Sequence, residues 1–389
     1  MFVDLTPDQH ALRRRVRDYF QDLMTPELRA SLRGKEGGED YRNIIRKMGR
    51  DGWLAVGWPK EHGGQGYAAT EQLIFFEEAN IAGAPLPFVT ISTVGPALMA
   101  HGSAAQKAKF LPGIAAGEIL FAIGYSEPGA GSDLAALKTT ARPEGDHFVV
   151  NGNKLWTSGA EAADFVWLAA RTDPDRPRHK GVSILILDTR LAGFSHTVIP
   201  TCSNPTAATY YDNVHVPADM LVGELHGGWK LITAQLNHER LGLGSWSDKV
   251  AGLFRRVYLW ARGADENGRR AADLPWVRAL LAECYARLEA MRLINFRIAA
   301  DLEHGRMDVA LASTTKVYGS ESAIEILRKL SEIVGASGLV RSGSAATQLL
   351  GELEYEVRAS VTLTFGGGTN EIQRELIAQF GLGMPKTVR

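Results

Sequence analysis

The stretch Thr364-Phe-Gly-Gly-Gly-Thr-Asn-Glu-Ile-Gln-Arg374 joins three consecutive glycines to a helix start. Thr369 is placed as its N-cap, and Ile372, Leu376 and Ile377 continue at helical spacing. The glycines leave backbone N–H groups unshielded, and a helix N-terminus behind them suits an anion or a polarised carbonyl. The bland alternative is a plain helix–helix turn. Ser126-Glu-Pro-Gly-Ala-Gly-Ser-Asp133 follows an apolar strand. Its glycines, Gly131 among them, let backbone N–H groups approach a bound group, and Ser126 and Ser132 can donate hydrogen bonds. A Gly-rich turn capped by Asp133 would read the same way. In Lys154-Leu-Trp-Thr-Ser-Gly-Ala160, Trp156 stands beside hydroxyls at a strand end. It could stack on a planar cofactor while a hydroxyl bonds the ring edge, although a lone tryptophan is more often core. In Leu236-Asn-His-Glu-Arg-Leu241, Glu239 and Arg240 lie close to the apolar helix face of Leu231, Ile232, Leu236 and Leu243. Such a pair is ordinarily solvated surface.

Other chemistries find little support. Ser126–Asp133 lacks the G-x-G-x-x-G register and βαβ context of a dinucleotide site, and no Gly-Lys-Ser/Thr follows it. The ten histidines are scattered without ligand spacing, and no serine sits in a nucleophile elbow. No metal site is therefore expected. His238 adjoins Glu239, but neighbours on a helix point about 100° apart, which argues against direct contact.

The elements that must position these stretches fall into three zones. Residues 1–118 read as helices: one starts at Thr6-Pro7-Asp8 with Leu12, Val16, Tyr19, Phe20 and Leu23 at helical spacing, and others lie near Tyr41–Asp51 and Ala69–Ala82. An irregular segment, Trp58–Gly66, separates the last two, and 89–101 reads as a buried helix. Residues 119–224 hold short β-branched and aromatic runs, Ile119–Gly124, Phe148–Lys154, Phe165–Arg171, Val182–Asp188 and Tyr210–Val216. They predict a small β domain, sandwich or barrel. Residues 225–389 return to helix, with patterns over Trp229–Arg262, 276–304, 308–334 and a last pair in 344–380.

The 389 residues suit two or three domains, and 45% apolar with 22% charged content describes an ordinary globular protein. A net charge of −1 with interspersed signs asks for neither nucleic acid nor an anionic membrane. No apolar run reaches the roughly 18 residues of a membrane span, and the N-terminus lacks a signal-peptide core. Only Cys202 and Cys284 are present, too few for a disulfide framework, and a reducing cytoplasm is the expected compartment.

Together, and in this order on a helix–β–helix frame, Glu61-His-Gly-Gly-Gln-Gly66, Ser126–Asp133, Trp156-Thr-Ser158, Glu239-Arg240 and Gly368-Thr-Asn-Glu-Ile-Gln373 are specific. Over essentially its whole length the chain resembles the acyl-CoA dehydrogenase family. The resemblance implies an α+β fold: an N-terminal helical domain, a middle β domain and a C-terminal four-helix bundle. It implies FAD, with Ile123, Tyr125, Ser126, Gly131, Ser132, Trp156 and Ser158 lining the flavin or nearby pantetheine, and Thr369 and Glu371 meeting it from the C-terminal loop. Ser132 and Arg240 would contact the acyl-CoA substrate.

The implied reaction oxidises an acyl-CoA thioester to the 2-enoyl-CoA: a base takes the α proton while the β hydride moves to the flavin. It needs hydrogen bonds to the thioester carbonyl and a carboxylate with a raised pKa. Many family members carry that base in a Tyr-Glu-Gly-Thr stretch, which here reads Gly366-Gly367-Gly368-Thr369. Gly367 cannot be a base, though its backbone N–H remains available to the carbonyl. A minority of the family places the glutamate on the internal helix before an arginine, where Glu239 stands. Glu239 is therefore assigned as the base, and the space left at Gly367 predicts a bulky, branched or ring-bearing acyl group.

Departures elsewhere bear on assembly. Arg262 matches the start of the family's Arg-x-x-Phe-Gly stretch, but no Phe-Gly follows, and Glu332 and Ala336 stand in the Gln-x-x-Gly-Gly-x-Gly stretch. The pattern resembles the base-bearing chain of bacterial α2β2 dehydrogenases of steroid side-chain degradation, in which two chains share each FAD. A second dehydrogenase-like chain is thus the expected partner, a homo-oligomer the alternative, and an electron-transfer flavoprotein the expected acceptor. Two other readings remain open: a non-catalytic chain that completes an FAD site, and an oxygen-using oxidase or flavin monooxygenase.

Overall fold

The computed structural model describes residues 4–35, 37–233, 235, 246–306 and 308–386. The chain divides into two compact units: Met1–Ser31, Ala68–Ala84 and Arg240–Arg389 form one, and Leu32–Tyr67 with Pro85–Glu239 the other.

The first unit is helical. Helix α1 (Pro7–Leu23) starts where the sequence signals it: Thr6 accepts from the Gln9 N–H, and Gln9 caps the Thr6 N–H in return. The stripe Leu12, Val16 and Phe20 is buried, and Phe20 meets Phe75 of α4 (Ala69–Ala82) at 5.6 Å between ring centroids. Two buried carboxylates on α4 complete this seam. Arg13 pairs with Glu77, and Arg17 holds Glu78 through two bonds of 2.9 and 2.7 Å. Helix α2 (Pro26–Leu32) follows α1, and the C-terminal helices are α7 (Trp246–Arg262), α8 (Pro275–Glu303), α9 (Val309–Val334), α10 (Glu352–Ser360) and α11 (Asn370–Leu376). One core joins Leu253 and Val257 of α7, Val277 and Leu281 of α8, Ile326 and Leu330 of α9, and Leu353 of α10. Gly252 lets α7 approach α4 closely, since a Cβ there would lie 2.5 Å from the Ile81 carbonyl oxygen.

The second unit sets helices α3 (Glu39–Arg50), α5 (Gly95–His101) and α6 (Ala104–Ala115) beside a sheet. The expected helix over 89–101 is present, its first part, Val89–Val94, being wound as a π-helix. The 58–66 segment is irregular apart from one 3-10 turn at Lys60–His62. Gly64 serves packing, since a Cβ there would lie 2.0 Å from the Trp58 carbonyl oxygen. All five expected strands exist, as β1 (Phe121–Gly124), β3 (His147–Lys154), β4 (Phe165–Arg171), β5 (Val182–Asp188) and β7 (Thr206–Pro217). Three more were not signalled: β2 (Thr140–Glu144), β6 (Phe194–Ile199) and the two-residue β8 (Leu221–Val222).

The sheet runs β6-β7-β3-β2-β4-β5-β8, with β1 also on β4. Strands β2 and β4 meet at only one residue pair, Thr140 and Arg171, so the sheet opens into two halves there. Strands β4 and β5 are continuous buried apolar runs, whereas β6 is mostly exposed. At Gly152 a bulge with φ +142° lets β3 pass Thr139, whose Cα would be 2.7 Å from an added Cβ. No helix among the described residues is long and apolar enough to cross a membrane.

Candidate functional site

In the sheet unit, the strand end at β1 and the strand end at β3 come together. Ile123 pairs with Trp167 across the parallel β1–β4 ladder and is half-buried. Tyr125 follows: its hydroxyl donates to Gln235 and accepts from Trp167 Nε1 at 3.2 Å. The Ser126 carbonyl accepts from the Leu155 N–H at 2.8 Å, which sets Trp156 one residue from that contact. The bland reading of Trp156 as a core residue fails: the side chain is 57% exposed. Its backbone sits at φ +63°, a region that costs a side-chain-bearing residue about 1–2 kcal/mol. Thr157 is buried against Thr209, and the exposed Ser158 shares a 2.9 Å hydroxyl bond with Thr206.

Beneath this corner lies an ion pair that sequence reasoning missed. Lys154 is fully buried, and its Nζ donates to the Tyr125 carbonyl and to Glu127 Oε1, both at 2.9 Å. Glu127 also accepts from the N–H groups of Lys138 and Thr139 at 2.7 and 2.8 Å. Burial pushes the Lys154 ammonium down to about 8 against the opposing pull of Glu127. A lysine at the end of β3, two residues past the Gly152 bulge, carries no sequence signal for burial. The only hint was its place inside the chemistry-bearing stretch. Gly131 and Ser132 are exposed, nothing stands within 4 Å of a Cβ added at Gly131, and Asp133 pairs with Arg178 at 2.9 Å.

In the helical unit, the glycine stretch forms the loop 365–369 before α11. Thr369 is the N-cap, as expected, accepting from the Ile372 N–H at 3.3 Å. Gly367 and Gly368 take φ +71° and +96° and are exposed, and a Cβ at Gly368 would lie 2.8 Å from Gln373 Nε2. Glu371 is exposed in the first turn of α11. Its own backbone N–H and the Thr369 hydroxyl hold its carboxyl below the usual carboxylate range. A second buried lysine, Lys316 of α9, donates to the Thr364 carbonyl and to Asn370 Oδ1 at 2.9 and 2.6 Å. It too was not found from sequence.

Glu332 and Ala336 are both exposed, and Arg262 lies over the Tyr258 ring, its carbon 5.5 Å from the centroid. Glu239 and Arg240, with His238, lie outside the described residues. No group of three or more His, Cys, Asp or Glu side chains able to hold a metal occurs among the described residues.

Comparison with known proteins covers nearly the whole chain. Three family models match: "Acyl-CoA dehydrogenase, N-terminal domain" over 6–118, "middle domain" over 122–214 and "C-terminal domain" over 226–382. The chain is similar to acyl-CoA dehydrogenase FadE26 of Mycobacterium tuberculosis, 49% identical with all of both chains covered. Among solved structures it is similar to a chain of the ChsE4-ChsE5 complex from the same organism, at 50% identity, TM-score 0.92 and full coverage of both chains. It is likewise similar to a chain described as "Tcur3481-Tcur3483 steroid ACAD", at 47% identity, TM-score 0.95 and full coverage of both.

Proposed function

Since the chain belongs to the acyl-CoA dehydrogenase family of oxidoreductases, we propose that it removes an α proton and a β hydride from a bulky or branched acyl-CoA, with Glu239 as base. The observation that carries the assignment is the chemistry of the glycine loop. The loop 365–369 contains no acid, and the carboxylate that follows it, Glu371, is exposed and held below the ordinary range. A base for a carbon-bound proton needs the opposite, a carboxylate made more basic by apolar surroundings. The support for Glu239 comes from the sequence, where helical spacing sets it near the stripe of Leu231 and Ile232; those two residues are buried.

FAD would supply the two-electron acceptor. The residues present fit it. An exposed indole held in a strained conformation at Trp156, hydroxyls at Ser132 and Ser158, and open backbone at Gly131 suit a planar ring with polar edges. Ile123 of β1 and Tyr125 just after it support that corner, and Ser126 fixes it to Leu155; a role for Thr369 and Glu371 rests on the family resemblance alone. The chain's own work is then limited and specific. Gly367 offers its N–H to the thioester carbonyl, which acidifies the α carbon. Glu239 takes the proton. Ser132 and Arg240 orient the CoA portion. The missing side chain at Gly367 leaves room beside the reacting carbons for a branched or ring-bearing acyl group.

The three-part division 1–118, 119–224 and 225–389 is supported by family-model boundaries at 118/122 and 214/226. A second, dehydrogenase-like partner chain is supported by the solved relatives, two of which are named as two-component assemblies. An electron-transfer flavoprotein is the proposed acceptor. The test is anaerobic bleaching of the flavin by acyl-CoAs of increasing bulk, with the chain purified alone and with its partner. The proposal expects a flavin-poor chain alone, and fastest bleaching by bulky acyl groups when paired. Fastest bleaching by straight short chains, or a fully loaded homo-oligomer, would contradict it. Rapid reoxidation in air would favour an oxidase.

A further inference from the structure

One ammonium holds both ends of the glycine loop. Lys316 is 5% exposed on α9, and its Nζ donates to the carbonyl of Thr364, which enters the loop, and to Oδ1 of Asn370, which leaves it. The two bonds measure 2.9 and 2.6 Å. Asn370, 2% exposed, is itself fixed from its other end: Nδ2 donates to Ser320 Oγ and to Glu321 Oε1, each at 3.0 Å. Ser320 lies one helical turn after Lys316, so both presenting groups share a face of α9. Glu321 is held in turn by Arg374 at 2.6 Å. Burying an ammonium is costly, and here burial pushes its pKa down to about 8. The loop's other described hydrogen bonds are local, from the Phe365 and Gly366 N–H groups to the Thr362 carbonyl and at the Thr369 cap, while its three glycines contribute no side chains and have the largest backbone entropy to lose.

We propose that Lys316 is a positioning residue for dehydrogenation, clamping Thr364 and Asn370 so that the Gly367 N–H is aimed at the thioester carbonyl before substrate arrives. The inference rests on the reading of Gly367 given above. Its logic is preorganisation: a hydrogen-bond donor displaced by about 1 Å loses on the order of 100-fold in rate, and a glycine loop free to move cannot hold that tolerance. A lysine serves better than a neutral side chain because its charge strengthens both of the bonds it donates.

The experiment compares the wild-type complex with Lys316→Met and Asn370→Leu, singly and together. The clamp predicts that Lys316→Met lowers kcat about 30-fold with KM within about threefold. Backbone amides of 366–369 should exchange with deuterium at least about tenfold faster while those of Val309–Val334 keep their protection. The double variant should be no worse than the worse single, because both changes cut one device. Unchanged kcat and exchange in the loop would overturn the proposal, and so would loss of protection spread evenly along α9, the signature of a merely structural lysine. If Lys316→Met does not fold, Asn370→Leu is read by the same two outcomes. Exchange is measured without substrate, so it judges the clamp even if the proton acceptor proves to be another residue. Normal reduction in Glu239→Gln would sink only the base assignment.

Discussion

The Lys154 ammonium lies 2.9 Å from both the Tyr125 carbonyl oxygen and a Glu127 carboxylate oxygen, with no exposure to solvent. Through it the ends of β1 and β3 are tied together, and through Glu127 so is the segment 138–139. Breaking a buried pair from one side strands the other charge, which costs roughly 3–5 kcal/mol, whereas removing both charges costs less. Lys154→Met should therefore destabilise the protein by that order, and adding Glu127→Gln should recover at least about 1 kcal/mol. Urea unfolding of both variants measures this. Strictly additive losses would contradict a coupled pair.

Trp156 combines exposure with φ +63°, a conformation that only glycine adopts without strain. If the indole is kept there to stack on the flavin, stability and binding must pull in opposite directions. Trp156→Gly is expected to be more stable than Trp156→Ala by about 1 kcal/mol, while both weaken FAD about tenfold. Thermal midpoints and flavin titrations give the two readouts. Flavin affinity within twofold of wild type in both variants would show that the indole has another purpose.

Glu77 supplies a pH dependence with a definite sign. Burial is the dominant influence on it and outweighs Arg13 and Arg292, raising its pKa from 4.5 to about 7. A carboxyl raised in the folded state binds more protons there than in the unfolded chain between these values. The stability it contributes is therefore full below about pH 4.5 and is lost as pH rises through about 7. The urea midpoint of wild type should fall between pH 5 and pH 8, and Glu77→Gln should show a smaller fall. An identical fall in the variant would refute the assignment.

What the sequence made legible was what local chemistry determines. The Thr6 and Thr369 caps, the irregular 58–66 segment and the apolar runs of β4 and β5 follow from signals within a few residues of each other. Strands β2, β6 and β8 were missed for local reasons too: β2 carries Pro143, β6 faces solvent with Ser195, His196 and Thr197, and β8 has two residues. Lys154 and Lys316 were missed for a different reason. Each is buried by partners 27–54 residues away in sequence, and no window along the chain registers a charge that only tertiary contacts make tolerable. The glycine loop was legible as a loop, but the ammonium behind it was not.

The base is tested most directly by reducing the flavin of the Glu239→Gln complex anaerobically with a bulky acyl-CoA and following its absorbance. The account predicts normal FAD content and binding of the acyl-CoA, with bleaching slowed by at least about 1,000-fold. Bleaching at close to the wild-type rate would contradict it and leave the α proton to another acceptor.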